Sequence, residues 1–181
     1  MKISTFHALV MIPPVLAVVS GGAADIFSEI GYDALVARLG SEVPSGVGVG
    51  VVQVEIPDPG YSPHQGNGQF SGINFIERSG ATEPSLHASK VGFKFYGNEE
   101  SVASGISTVN LYDVNDFIGS GYLRLGSSSL PDNPPGGAKI FNHSWIGTLG
   151  SSSDVLALRR ADYAANTFGT IWIMGVNNGA G

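Results

Sequence analysis

Gly46-Val47-Gly48-Val49-Gly50-Val51-Val52-Gln53-Val54-Glu55-Ile56-Pro57 is an apolar, β-branched run that opens on alternating glycines and closes on a carboxylate. Val47, Val49, Val51, Val52 and Val54 load both faces of a strand, so the run reads as a central strand of a parallel sheet, covered on both sides. A carboxylate at the carboxyl end of such a strand stands where open α/β sheets place their chemistry.

Working outward, apolar spacing and a closing Gly40 predict a helix over residues 33–39 with a short turn before it. Pro57-Asp58-Pro59-Gly60 signals a turn, and a polar glycine-rich loop runs on to Gly68. Residues 69–76 read as a short edge strand. Ala88, Val91, Gly92 and Phe95 fall on one helical face, with Ser85 as N-cap and Gly97 as the stop. An apolar strand is expected over 107–112, a short helix near 116–123, and a further strand over 138–142. Ser151 to Ser153 are expected to cap a helix over 154–166 that turns Val155, Leu158, Ala161 and Ala165 inward, before a last strand over 170–175. This order, with right-handed crossovers, predicts an α/β fold: a doubly wound, mostly parallel sheet with helices on both faces.

The 181 residues suffice for one domain with a real core, and 43% hydrophobic against 13% charged residues is a globular rather than a disordered composition. A net charge of −6 with no basic run argues against nucleic acid as a partner. Without cysteine there is no disulfide or thiol chemistry. Lys2, the apolar stretch from Ala8 to Val19 interrupted by Pro13-Pro14, and Gly22-Ala23-Ala24 read as a signal peptide over 1–24. Export and no membrane contact after cleavage are therefore expected. Residues 25–45 form an N-terminal helical segment and 46–181 the main domain.

Three polar groups fall at strand ends or at a helix start: Glu55, His87 and Asn177. Histidine in a first helical turn is a candidate general base. A carboxylate beside it holds its tautomer and stabilises the imidazolium, and an asparagine amide can donate to an oxyanion. Gly46-x-Gly48-x-Gly50 is not a dinucleotide fingerprint, because such glycines follow their strand and open a helix. His64, His87 and His143 have no metal-ligand spacing, so neither metal nor cofactor is expected.

Taken in order, four segments resemble the subtilisin-like serine peptidases over about 46–179. The Val-rich strand ending in Glu55 is similar to the family's acid-bearing strand. His87-Ala88-Ser89-Lys90-Val91-Gly92 resembles its His-Gly-Thr-His-Val-Ala-Gly helix, with one residue fewer. Ile140-Phe141-Asn142-His143-Ser144-Trp145 resembles Val-Ile-Asn-Met-Ser-Leu, and Met174-Gly175-Val176-Asn177-Asn178-Gly179 resembles Ala-Ala-Gly-Asn-x-Gly. Val102-Ala103-Ser104-Gly105 is similar to the turn that leads into the family's next strand. The resemblance implies a Ser-His-acid peptidase in which Glu55 and His87 are acid and base and Asn177 is the oxyanion donor. Ser144, Trp145, Ile146 and Gly147 would then pair with a peptide or protein substrate.

The departures are specific. Glu55 stands where the family has Asp, one methylene longer, and is followed by Ile56-Pro57. Lys90 replaces the second histidine of the helix motif, and no Gly-Thr-Ser-x-Ala segment supplies a nucleophile. The expectation is an incomplete subtilisin-like domain, the N-terminal part of a peptidase, inactive by itself. The alternative is a non-catalytic exported binding domain that retains the fold.

Overall fold

In a computed structural model the structure describes residues 26–147 and 149–175. The elements run α1 (Ile26–Glu29), α2 (Tyr32–Leu39), β1 (Val51–Glu55), β2 (Asn74–Glu77), α3 (Leu86–Tyr96), β3 (Thr108–Asp113), α4 (Val114–Gly119), β4 (Ile140–His143), α5 (Ser151–Phe168) and β5 (Ile171–Met174). The strands form one five-stranded sheet in the order β2-β3-β1-β4-β5, and every pairing is parallel. The fold is α/β, with helices on both faces of the sheet.

β1 holds the centre, between β3 and β4, and all five of its residues are buried. Alternation divides its side chains between two cores. Val52 and Val54 join Phe117, Tyr122 and Phe141 under α4 and α5, while Val51 joins Phe70, Tyr96, Val109 and Leu111 under α3. Gln53 and Glu55 lie on the Val51 face of the strand.

The run from Gly46 is not strand throughout. Gly46 and Gly48 have φ of +83° and +79°, left-handed backbone that a regular strand cannot contain, so residues 46–49 form a turn that delivers the chain to β1. Val47 is accordingly 78% exposed rather than core. The expected edge strand is shifted: Gly68–Phe70 is a 3-10 turn and β2 starts only at Asn74. The short helix begins at Val114, earlier than its spacing suggests, because Asp113 at the end of β3 caps it through Asn115 N–H.

α5 corrects its predicted face. Ser151 opens the helix rather than capping it, and Gly150 is the N-cap. Val155 and Leu158 are exposed, whereas Arg160, Ala161 and Ala164 are buried. Arg160 Nη1 donates to the carbonyls of Leu123, Arg124 and Ser129, and Nη2 to that of Ser127, which fastens the loop after α4 to the helix.

α1 and α2 bury no residue. Among the described residues no helix is long and apolar enough to cross a membrane. The signal-peptide segment lies outside the described residues.

Among the described residues β5 is an outer strand, and its Ile171 and Ile173 are exposed on one face with no charge between Ile171 and Met174. An uncharged apolar edge of this kind templates strand addition. Ile173→Lys is expected to lower concentration-dependent light scattering while changing stability by no more than about 0.5 kcal/mol. Static scattering and a denaturant melt of both chains check this.

Candidate active site

Ser85 ends an extended segment, and its Oγ accepts from Ala88 N–H to start α3. Ser89 Oγ donates back to the Ser85 carbonyl and accepts from His64 N–H, so the first turn of α3 is tied to the preceding loop. His87 occupies that turn. Its Nδ1 meets Glu55 Oε2 at 2.8 Å, although the two residues are 32 apart in sequence. The extra methylene of Glu55 does not carry the carboxylate past the imidazole.

The two partners have different surroundings. Glu55 is 1% exposed, whereas the His87 side chain is 55% exposed. Glu55 Oε1 accepts from Gln53 Nε2 at 2.7 Å, and the same nitrogen donates to the Ala88 carbonyl at 3.0 Å. When Glu55 is ionised both of its oxygens accept, so Nδ1 then carries the His87 proton and the Nε2 lone pair is the free basic position. Burial holds the Glu55 carboxyl above the usual carboxylate range, opposed by the Gln53 and His87 hydrogen bonds and the His87 charge.

Register puts the second predicted segment alongside. Val54 pairs with His143, so Ser144 follows β4 at the level where Glu55 ends β1. Ser144 Oγ accepts from Asn142 Nδ2 at 2.9 Å. Trp145, Ile146 and Gly147 line an apolar cavity of about 290 Å³ between the ends of β4 and β5 and α5, together with His143 and Trp172. Trp145 is half-buried against the core under α5 and thus serves both packing and cavity wall. The four residues therefore do not form one surface: Ser144 is bonded to β4, and the next three border the cavity. Asn177 lies outside the described residues.

The sequence reading missed Gln53 and Tyr96, and it weighed His143 as a metal ligand and, with Trp145, as part of an aromatic-lined cleft, the second of which fits the cavity both residues line. Gln53 is the one polar interruption of the Val-rich run and shares the face of Glu55 two residues on, which was a usable signal. Tyr96 falls four residues after Gly92 and completes the inward face of α3. His143 is 4% exposed, stacks on Trp172 at 5.1 Å and meets Phe117 edge-on, and it accepts at Nδ1 from Trp145 Nε1 at 3.3 Å. Its Nε2 is buried and has no hydrogen-bond partner among the described residues.

The two buried groups leave opposite pH signatures. Burial lowers His143 to about 4, so its contribution to stability is intact above about 6.5 and is lost as pH falls towards 4. The loss is on the order of 3 kcal/mol. Glu55, raised in the fold, costs stability as pH rises through its folded midpoint, and acidification relieves that cost. Calorimetric melts of the native chain are expected to fall between pH 6.5 and 4.5, and His143→Leu to remove most of that fall. For the dyad, Glu55→Gln turns an acceptor into an amide that satisfies the unprotonated Nδ1, so the neutral ring is expected to switch to the Nε2–H tautomer. The ¹⁵N shifts of His87 report that switch directly.

No family model, curated protein or solved structure matches this chain. What distinguishes the site is the arrangement of its own residues: a buried carboxylate at the end of a central parallel strand, bonded to a half-exposed histidine in a helix's first turn.

Proposed function

We propose that this chain carries the acid and the base of an exported, subtilisin-like serine endopeptidase. Glu55 is the acid and His87 the general base, Ser144 follows β4 at the level of Glu55 while Trp145, Ile146 and Gly147 border the cavity offered to a peptide substrate, and Asn177 is the oxyanion donor. The observation that carries the reading is the 2.8 Å bond between Glu55 and His87, which joins a strand end to a helix start across 32 residues. A surface ion pair has no need of a buried partner. Here the carboxylate is enclosed and the ring is accessible, as a base must be to take a proton from an incoming group.

In this role His87 Nε2 takes the proton of a serine hydroxyl as that oxygen attacks the peptide carbonyl. Glu55 fixes the Nδ1–H tautomer and stabilises the imidazolium, then the same proton goes to the leaving amine. The apolar cavity beside Trp145 suits a bulky apolar side chain of the substrate. No Gly-Thr-Ser-x-Ala segment occurs in the 181 residues, so the nucleophile is expected from sequence outside them.

Two measurements test this. The purified chain, incubated with a peptide substrate and a serine-directed phosphonylating probe, is expected to cleave nothing and to label no serine; labelling of any of its serines would sink the assignment. Sequencing the coding region past codon 181 is expected to find Gly-Thr-Ser-x-Ala in a frame that continues or is restored by one frameshift. An intact stop followed by unrelated sequence favours the non-catalytic binding domain instead.

A further inference from the structure

Gln53 is fully buried beneath the dyad and spends every polar atom there. Its Nε2 donates to Glu55 Oε1 at 2.7 Å and to the Ala88 carbonyl at 3.0 Å, while its Oε1 accepts from the Tyr96 hydroxyl. An amide can face either way, and here the surroundings choose. Turned over, Gln53 would set its oxygen against a carboxylate and a carbonyl. Burial and the nearby Glu55 charge push the Tyr96 phenol well above its ordinary value, so Tyr96 keeps its proton and acts as the donor.

Tyr96 itself is fully buried. Phe70, Phe75 and Phe95 surround its ring at centroid distances of 5.6, 5.9 and 5.5 Å. Gly92 leaves the space through which the hydroxyl passes, since a Cβ there would come within 2.7 Å of Tyr96 Oη. The chain of bonds therefore starts in a packed aromatic core, crosses to β1 and ends on the carboxylate that holds His87.

We propose that Gln53 and Tyr96 are positioning residues of the Glu55–His87 dyad: the Tyr96 hydroxyl fixes the direction of the Gln53 amide, and the amide N–H keeps Glu55 an anion turned towards His87. The proposal rests on the reading of Glu55 and His87 as acid and base. His87 and Tyr96 are the titratable groups that face the carboxylate, and neither replaces the amide donor at Oε1. A buried carboxylate that loses a neutral donor shifts towards its protonated form, and a protonated Glu55 no longer stabilises an imidazolium.

The test uses the full chain, ¹³C-labelled at glutamate and ¹⁵N-labelled at histidine. The Glu55 carboxyl carbon is followed against pH, and the His87 Nδ1–H proton is observed downfield. Gln53→Met keeps the side-chain volume and removes both polar functions. It is expected to raise the Glu55 midpoint by about one pH unit and weaken the Nδ1–H signal. Tyr96→Phe keeps the ring in the core and is expected to move both readouts the same way, by less. A purely structural role would lower the melting temperature of the variants without moving either resonance, and that result overturns the proposal. If Gln53→Met does not fold, Tyr96→Phe decides, and an unchanged Glu55 midpoint in that variant overturns it too. A native chain lacking the downfield Nδ1–H signal would remove the dyad and the proposed function with it. A native signal indifferent to both variants removes the positioning role alone.

Discussion

A carboxylate sealed at the end of the central strand is the constraint around which this structure is arranged. Taking an ionised group out of water costs several kcal/mol unless hydrogen bonds and a counter-charge replace the lost hydration. Glu55 has a donor on each oxygen, one from its own strand and one from α3. That requirement fixes the distance between β1 and the first turn of α3. It also explains why that turn is pinned so thoroughly, by Ser85, Ser89 and the backbone of His64. A helix free to slide by a fraction of a turn would strand the charge.

The sheet keeps two kinds of chemistry apart. On the α3 face, polar side chains of β1 form a hydrogen-bonded chain reaching into aromatic packing. On the α5 face the same carboxyl edge is built from stacked rings, with Phe141 against Trp172 at 4.6 Å and His143 against Trp172 at 5.1 Å. Two histidines thus have opposite characters. His87 is exposed and bonded to an acid, whereas His143 is enclosed among rings and held neutral. Parallel pairing brings both faces to one edge, because β1 and β4 end at the same level.

Strand alternation and helical spacing made most of this legible in the sequence. The buried Val51–Glu55 strand and the α3 face carry local patterns that match their environments, and the final Thr-Ile-Trp-Ile-Met-Gly run forms strand over Ile171–Met174 although Ile171, Ile173 and Met174 are exposed. The acid and the histidine were visible as residues at an edge, whereas their pairing was implied only by the family resemblance, since the bond depends on where α3 docks. Failures arose where local pattern and tertiary contact disagree. Alternating valines at 47 and 49 resemble strand, yet Gly46 and Gly48, each preceding one of them, take left-handed backbone. Val155 and Leu158 look like core and are exposed, while the charged Arg160 is inside because four backbone carbonyls receive it. Hydrophobicity alone cannot anticipate a cation whose partners lie on a distant loop.

That arginine gives the loop after α4 an unusual kind of order. The loop bends round a planar cation as the ligands of a coordination sphere bend round an ion, each oxygen aimed at a common centre. The recognised atoms belong to the main chain, so the side chains of Ser127 and Ser129 are not what Arg160 reads. At these two positions the side chain is thereby freed from the shape of the loop. A change at Ser127 or Ser129 keeps the carbonyls that Arg160 uses, whereas one change on the helix, to a residue without a planar fork of donors, would remove four bonds from the turn at once.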